Sequence, residues 1–199
     1  SFDYGDKAVT DEQIVERLKR EGVRVVAITD HHVMDVVRIR HLQELARGAI
    51  TFLPGMELRS YQGSPPINYI CIFSEDCNLD HVWTTLQGKL GLTPEAIVQA
   101  GGDQRVYIPI ELGAEEVHKL GGAISIHAGR KSNSIEGISN REQFQQQIKY
   151  DITSKYVDIM EIGQVKDIDS HLHTIFPATK LDKPLALCSD CHDINDYRV

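Results

Sequence analysis

At 199 residues, 41% hydrophobic and 25% charged, the chain has the size and balance of one soluble globular domain. No apolar run approaches the ~18 residues that span a bilayer, and the opening Ser1-Phe-Asp-Tyr-Gly-Asp6 carries no secretory signal. The net charge of −8 excludes a general attraction for nucleic acid or anionic membrane, though not a local basic groove.

The elements alternate along the chain. Thr10 with Gln13 three residues on forms a capping box. Ile14, Val15 and Leu18 make a helical stripe, which Gly22 ends. Residues 23–28 are short, β-branched and continuous, as in a strand buried on both faces. Residues 36–45 predict a helix with Ile39, Leu42 and Leu45 on one face and Gly48 as its stop. Residues 50–53 predict a strand ended by Pro54-Gly55, and residues 67–73 another. Residues 79–120 read mostly as helix, with Pro94 at the first position of one segment. Residues 123–126, 157–162 and 184–187 predict strands, and residues 141–148 and 168–176 predict helices. The loop 130–140 is polar and rich in Gly and Ser, which suits a mobile or substrate-contacting segment. Strands alternating with helices predict a mostly parallel sheet, in a barrel or part of one.

The predicted strands end in chemistry-bearing residues. Thr29-Asp-His-His32, Gly55-Met-Glu57, His127-Ala-Gly-Arg130 and Cys188-Ser-Asp-Cys-His192 each follow an apolar run. In parallel α/β folds the strand C-terminal ends carry the site. Any one of these residues could equally cap the following helix; four together point to a shared centre. Mixed His and carboxylate donors suit zinc, manganese or iron, and this number of donors is enough for two or three ions. Glu57 is the natural bridge between them. Arg130 and Lys131 could hold substrate phosphate or belong to a solvated loop.

Other chemistries lack their residues. There is no Gly-x-Ser-x-Gly elbow, no phosphate-binding Gly-x-x-x-x-Gly-Lys-Ser/Thr loop and no His-Glu-x-x-His. His171 and His173 fall in a predicted helix, where i and i+2 do not face each other. Of the four cysteines, Cys71 reads as core and Cys77 as loop. Cys188 and Cys191 have zinc or redox spacing but no second pair, so they read as packing residues. A reduced, cytoplasmic protein is the simplest reading.

These motifs, in this order, resemble the PHP (polymerase and histidinol phosphatase) superfamily over nearly the whole chain. Ile28-Thr-Asp-His31 resembles its second motif, Gly55-Met-Glu57 the strand bearing its bridging glutamate, Ser125-Ile-His-Ala-Gly-Arg130 its third motif and Ser189-Asp-Cys-His192 its fourth. The resemblance implies a distorted (β/α)7 barrel with metal ligands His31, Glu57, His127, Asp190 and His192. It implies hydrolysis of phosphate esters, nucleic-acid ends and nucleotides among them. The family's first motif, His-x-His-x-x-x-Ser on the first strand, has no His pair here; Ser1 matches its final Ser, and Asp3 the ligand two residues beyond. The expectation is a single PHP domain over residues 1–199, cut from a longer protein and lacking its first strand. Asn68 stands where many members place a His ligand.

The first sixty residues look closest to TrlF-type proteins, which join an N-terminal PHP domain to a C-terminal AAA/SMC-like ATPase. The reading is therefore a cytoplasmic phosphoesterase domain, with an attached ATPase and no membrane partner. Water activated by the ions attacks phosphorus. Asp190 orients or deprotonates that water, His192 ligates beside it, and Arg130 stabilises the phosphoryl oxygens. Asp30 and Glu161 are expected to orient the ligating histidines. The alternative is a non-catalytic metal-binding PHP module that supports the ATPase or another partner, which Asn68 and the absent first motif favour. An amidohydrolase-like hydrolase on a similar barrel is a third, weaker fit.

Overall fold

The computed structural model describes residues 9–188 and Ile194. The order runs α1 (Asp11–Arg20), β1 (Val25–Ile28), α2 (Val36–Ala46), β2 (Thr51–Ser60), β3 (Ile67–Ile72), α3 (Leu79–Leu90) and α4 (Pro94–Ala100). It continues with α5 (Ile110–Lys119), β4 (Ala123–Ala128), α6 (Gln143–Tyr156), β5 (Ile159–Ile162), α7 (Lys166–Ser170), α8 (Phe176–Thr179) and β6 (Leu185–Leu187). The predicted caps form: Thr10 accepts from the Gln13 backbone while the Gln13 side chain accepts from Thr10, and Thr93 caps α4 with Pro94 inside it. The predicted helix over 168–176 forms within a continuous helical stretch, in which a π-segment at His171–Ile175 joins α7 to α8 without a break in helical backbone.

The strands make one curled sheet in sequence order, β1 to β6, which closes half a distorted barrel. Its pairing is mostly parallel, as expected, with β3 as the exception. β1–β2, β4–β5 and β5–β6 are parallel, whereas β2–β3 and β3–β4 are antiparallel. β3 follows β2 after only a short connection, too short for a crossover helix, so it must run back beside it.

β2 corrects the predicted stop at Pro54-Gly55. It runs on to Ser60, so Glu57 lies inside a strand rather than after one. Gly55 allows this continuation. A Cβ there would stand 2.7 Å from the Cys71 carbonyl oxygen and 3.1 Å from that of Ile28, where β1, β2 and β3 crowd together.

Side chains alternate between the two faces of the sheet. Met56 and Leu58 of β2, Tyr69 and Cys71 of β3, Ile124 and Ile126 of β4, and Met160 and Ile162 of β5 join one large core with Leu86, Ala114 and Val117 of the helices. Phe52, from the same face, joins a smaller core with Ile14, Leu18 and Leu42. Ile194 packs against that smaller core. Full burial of each such side chain is worth roughly 1.5–3 kcal/mol. Glu57, Arg59, Asn68, His127 and Glu161 occupy the alternate positions.

The helical layer sits close to the sheet. Tyr69 donates its hydroxyl to the carbonyl of Ile108 at 3.2 Å, and its ring lies against Gly113 of α5, where an added Cβ would collide with that hydroxyl. Gly113→Ala is expected to destabilise the fold by about 1–3 kcal/mol despite its better helix propensity. Combined with Tyr69→Phe, the loss should be smaller than the sum of the two single losses by at least ~0.5 kcal/mol. Urea titration of the four proteins measures this coupling; additive losses would show that the contact does not limit the packing.

Candidate metal centre

The register gathers one set of side chains at one end of the sheet. Beyond the end of β1, His31 bridges in parallel to Glu57. The Glu57 N–H donates to the Asp30 carbonyl at 3.0 Å, and the His32 N–H donates to the Glu57 carbonyl at 2.9 Å. His31 Nδ1 then stands 3.9 Å from Glu57 Oε1. On the other side of the sheet, His127 pairs in register with Glu161, with His127 Nε2 4.0 Å from Glu161 Oε1. The His127 ring is oriented by a 3.0 Å hydrogen bond between Nδ1 and the Ser132 carbonyl, which turns Nε2 toward the carboxylate. Metal-ligating histidines are commonly held in this way, one ring nitrogen on a backbone carbonyl and the other left for an ion.

Asn68 of β3 bonds to the β2 side of the centre. Its amide nitrogen donates to Glu57 Oε1, and its oxygen accepts from Arg59 Nε at 3.3 Å. Arg59 in turn donates to Gln104 Oε1 at 2.5 Å. The oxygen, the only ligating atom of a neutral amide, is therefore turned to a guanidinium. Asn68 thus turns its oxygen to Arg59 and its amide nitrogen to Glu57.

Glu161 receives a second partner. Lys131 Nζ bonds to Glu161 Oε1, with side chains 8% and 3% exposed. This excludes the solvated-loop reading of Lys131. The loop after β4 is not a loose segment either. Ile135 and Ile138 are buried, the Asn68 N–H donates to the Asn133 carbonyl, and the Ser64 N–H donates to the Gly137 carbonyl. Arg130 differs from its neighbour: its side chain is 59% exposed, with Nε 3.6 Å from Asp167 Oδ1. Its backbone N–H also donates to Asp167 Oδ2, at 3.2 Å. Asp167 thus holds Arg130 at the rim of the polar end.

The structure accordingly brings His31 to Glu57 and His127 to Glu161, with Arg130 nearby in sequence and exposed. Asp3, Asp190 and His192 lie outside the described residues, as does Cys191. Among the described residues no group of three or more His, Cys, Asp or Glu side chains converges on one ion position. The donors present are nonetheless imidazole nitrogen and carboxylate oxygen, the set that suits a borderline divalent cation. Cys71 is buried, as expected, and burial pushes its thiol well up. Cys188 is exposed rather than packed. His171 is buried on its own helix, with Nδ1 2.7 Å from the Asp167 carbonyl.

Arg59, Gln104 and Asp167 escaped the sequence reading. Arg59 had a signal, because it lies two residues beyond Glu57 on the same strand face; ending β2 at Gly55 hid it. Gln104 and Asp167 come from elements distant in sequence and had none.

No protein-family model and no curated protein matches this chain. Solved structures do. A protein from Bifidobacterium adolescentis, assigned by inference as a metal-dependent phosphoesterase, superposes with a TM-score of 0.58 at 15% identity, over 96% of this chain and 85% of its own. A two-domain protein from Bacteroides vulgatus, containing a domain inferred to be a PHP-like metal-dependent phosphoesterase, gives 0.56 at 18% identity. That match covers 98% of this chain and 51% of the other, so this chain spans about half of that protein. An amidohydrolase from Chromobacterium violaceum, holding sulfate and no metal, gives 0.56 at 13% identity over 96% and 85%. The fold is of the PHP type. Among the described residues no helix is long and apolar enough to cross a membrane.

His32 adds an electrostatic feature of its own. It is buried with a left-handed backbone, φ 56°, and Nδ1 has no hydrogen-bond partner among the described residues. Burial first, then the nearby His31 and Arg59, hold its pKa down to about 4. A histidine depressed in the fold costs nothing above its unfolded value near 6.5, where both states are neutral. Below that pH the unfolded chain takes the proton first, so stability falls as pH drops toward 4. In EDTA-treated protein the loss across that window from this group should be on the order of 3 kcal/mol. Urea midpoints at pH 7 and pH 4.5 should separate more for the wild type than for His32→Gln; parallel pH profiles would show that the buried ring carries no such penalty.

Proposed function

We propose that this chain is a metal-dependent phosphoester hydrolase domain. The observation that carries the reading is the presence of two His–carboxylate pairs, His31 with Glu57 and the ring-oriented His127 with Glu161, on one sheet of a PHP-type barrel. The names of the two phosphoesterase-like neighbours support the same reaction class. In this proposal His31, Glu57 and His127 ligate together with Asp3, Asp190 and His192, and two or three zinc, manganese or iron ions are held.

Bound divalent ions supply Lewis acidity for a phosphoryl oxygen and lower the pKa of the attacking water. The chain's residues do the rest. Asp190 orients the water and takes its proton as the oxygen bonds to phosphorus and the ester oxygen departs. Arg130, exposed at the rim, swings from Asp167 to the phosphoryl oxygens, where its charge counts most as negative charge develops. The Ser132 carbonyl keeps the His127 ring turned inward, and the Asp30 and His32 backbones keep Glu57 in register. Substrates of this site are phosphate esters, with nucleic-acid ends and nucleotides the first classes to assay. A cytoplasmic setting and an attached C-terminal ATPase belong to the same proposal, with residues 1–199 forming its single PHP domain.

The second reading, a non-catalytic module supporting a partner, draws on Asn68, whose oxygen faces Arg59 instead of the centre. The two readings separate on one experiment. Wild-type protein supplied with Mn2+, Zn2+ or Fe2+ should hydrolyse bis(p-nitrophenyl) phosphate or end-labelled oligonucleotides. EDTA should abolish this, and His127→Ala should lower kcat/KM by at least about 100-fold while the circular dichroism spectrum is unchanged. Background rates for the wild type with all three metals would leave the non-catalytic reading standing.

A further inference from the structure

Glu161 Oε1 has two neighbours of different kinds. Lys131 Nζ bonds to it directly, and His127 Nε2 lies 4.0 Å from the same oxygen. All three side chains are more than nine-tenths buried. Lys131 reaches this position because the chain reverses just after β4. Gly129 takes a left-handed backbone, φ 66°, and the Lys131 N–H donates back to the Ala128 carbonyl at 3.4 Å. The bare Gly163 lies against the Lys131 backbone, where its missing Cβ would stand 3.7 Å from the Lys131 Cα.

A buried ammonium forfeits its hydration and persists only where a carboxylate compensates it. Lys131 Nζ therefore stands at the oxygen that a cation held by His127 would share. A strongly hydrated point charge on a flexible stem can fill a cation position in this way. On the β2 side, Glu57 is bonded by the neutral Asn68 amide, which in turn accepts from Arg59.

We infer that Lys131 is a tethered cation that occupies one cation position at Glu161 and limits how many divalent ions the His127 side of the centre takes up. This rests on the reading of His127 as a metal ligand given above. The site would then bind fewer ions, or bind the last one more weakly, than its donors alone would allow. A neutral side chain at position 131 should release that position.

The test counts ions. Mn2+ binding is followed by calorimetry and native mass spectrometry for the wild type, Lys131→Met and Lys131→Gln, with folding checked by circular dichroism. The glutamine keeps a donor to Glu161 without the charge, so it decides the matter if the methionine variant fails to fold. Both folded variants should take up one more Mn2+ per chain than the wild type, or bind the last Mn2+ at least about tenfold tighter. Equal or weaker binding in a folded variant overturns the inference, and so does failure of both variants to fold, which would make the ammonium a purely structural partner. If the wild type binds Mn2+ and hydrolyses phosphoesters while the variants bind no better, only this inference falls. If no protein in the set binds Mn2+, the functional reading falls with it.

Discussion

The polar end of this protein depends on the register of β2. Side chains along a strand alternate with a period of two, so a shift by one residue would exchange its faces. Glu57 and Arg59 would then point at the helices, and Met56 and Leu58 at the centre. The register is locked from both sides. The Asp30 and His32 backbones grip Glu57 from the β1 side, and six residue pairs from Gly55–Ile72 to Ser60–Ile67 align β3. Gly55 permits the close approach that makes both contacts possible. Stability and site geometry thus share one cause: the apolar face that fills the core also aims the carboxylate.

Burying carboxylates is costly unless each is compensated. Here the compensation is built from protein: Lys131 for Glu161 and the Asn68 amide for Glu57. These partners explain how the described part of the centre keeps its shape with its acids in low dielectric. In the proposed reading, a divalent ion arriving there would meet partners already in place on both acids.

Much of the fold was legible in local chemistry. The Thr10–Gln13 capping box, the Thr93-Pro94 start and the short apolar strands all depend on neighbours within a few residues. So did the His31, Glu57 and His127 motifs, which the tertiary structure sorts into two pairs. The misreadings have physical reasons. Pro54-Gly55 resembles a strand stop, yet Gly55 is the residue that lets three strands crowd together. The 130–140 loop looks loose by composition, yet Ile135 and Ile138 anchor it. The 168–176 helix does form, but it carries a π-segment that hydrophobic periodicity does not reveal.

By itself the sequence determined the alternation of strands and helices, the caps, and the placing of imidazoles and carboxylates near strand ends. Each of these follows from propensity and periodicity over a short span. Only the tertiary structure decided that β3 runs antiparallel, that Asn68 turns its oxygen to Arg59, and that Lys131 is buried on Glu161 instead of solvated. Those outcomes depend on residues 9 to 30 positions apart meeting across the sheet. Which partner a buried charge finds is a property of the packed interior, where desolvation makes every pairing count, and no local pattern encodes it.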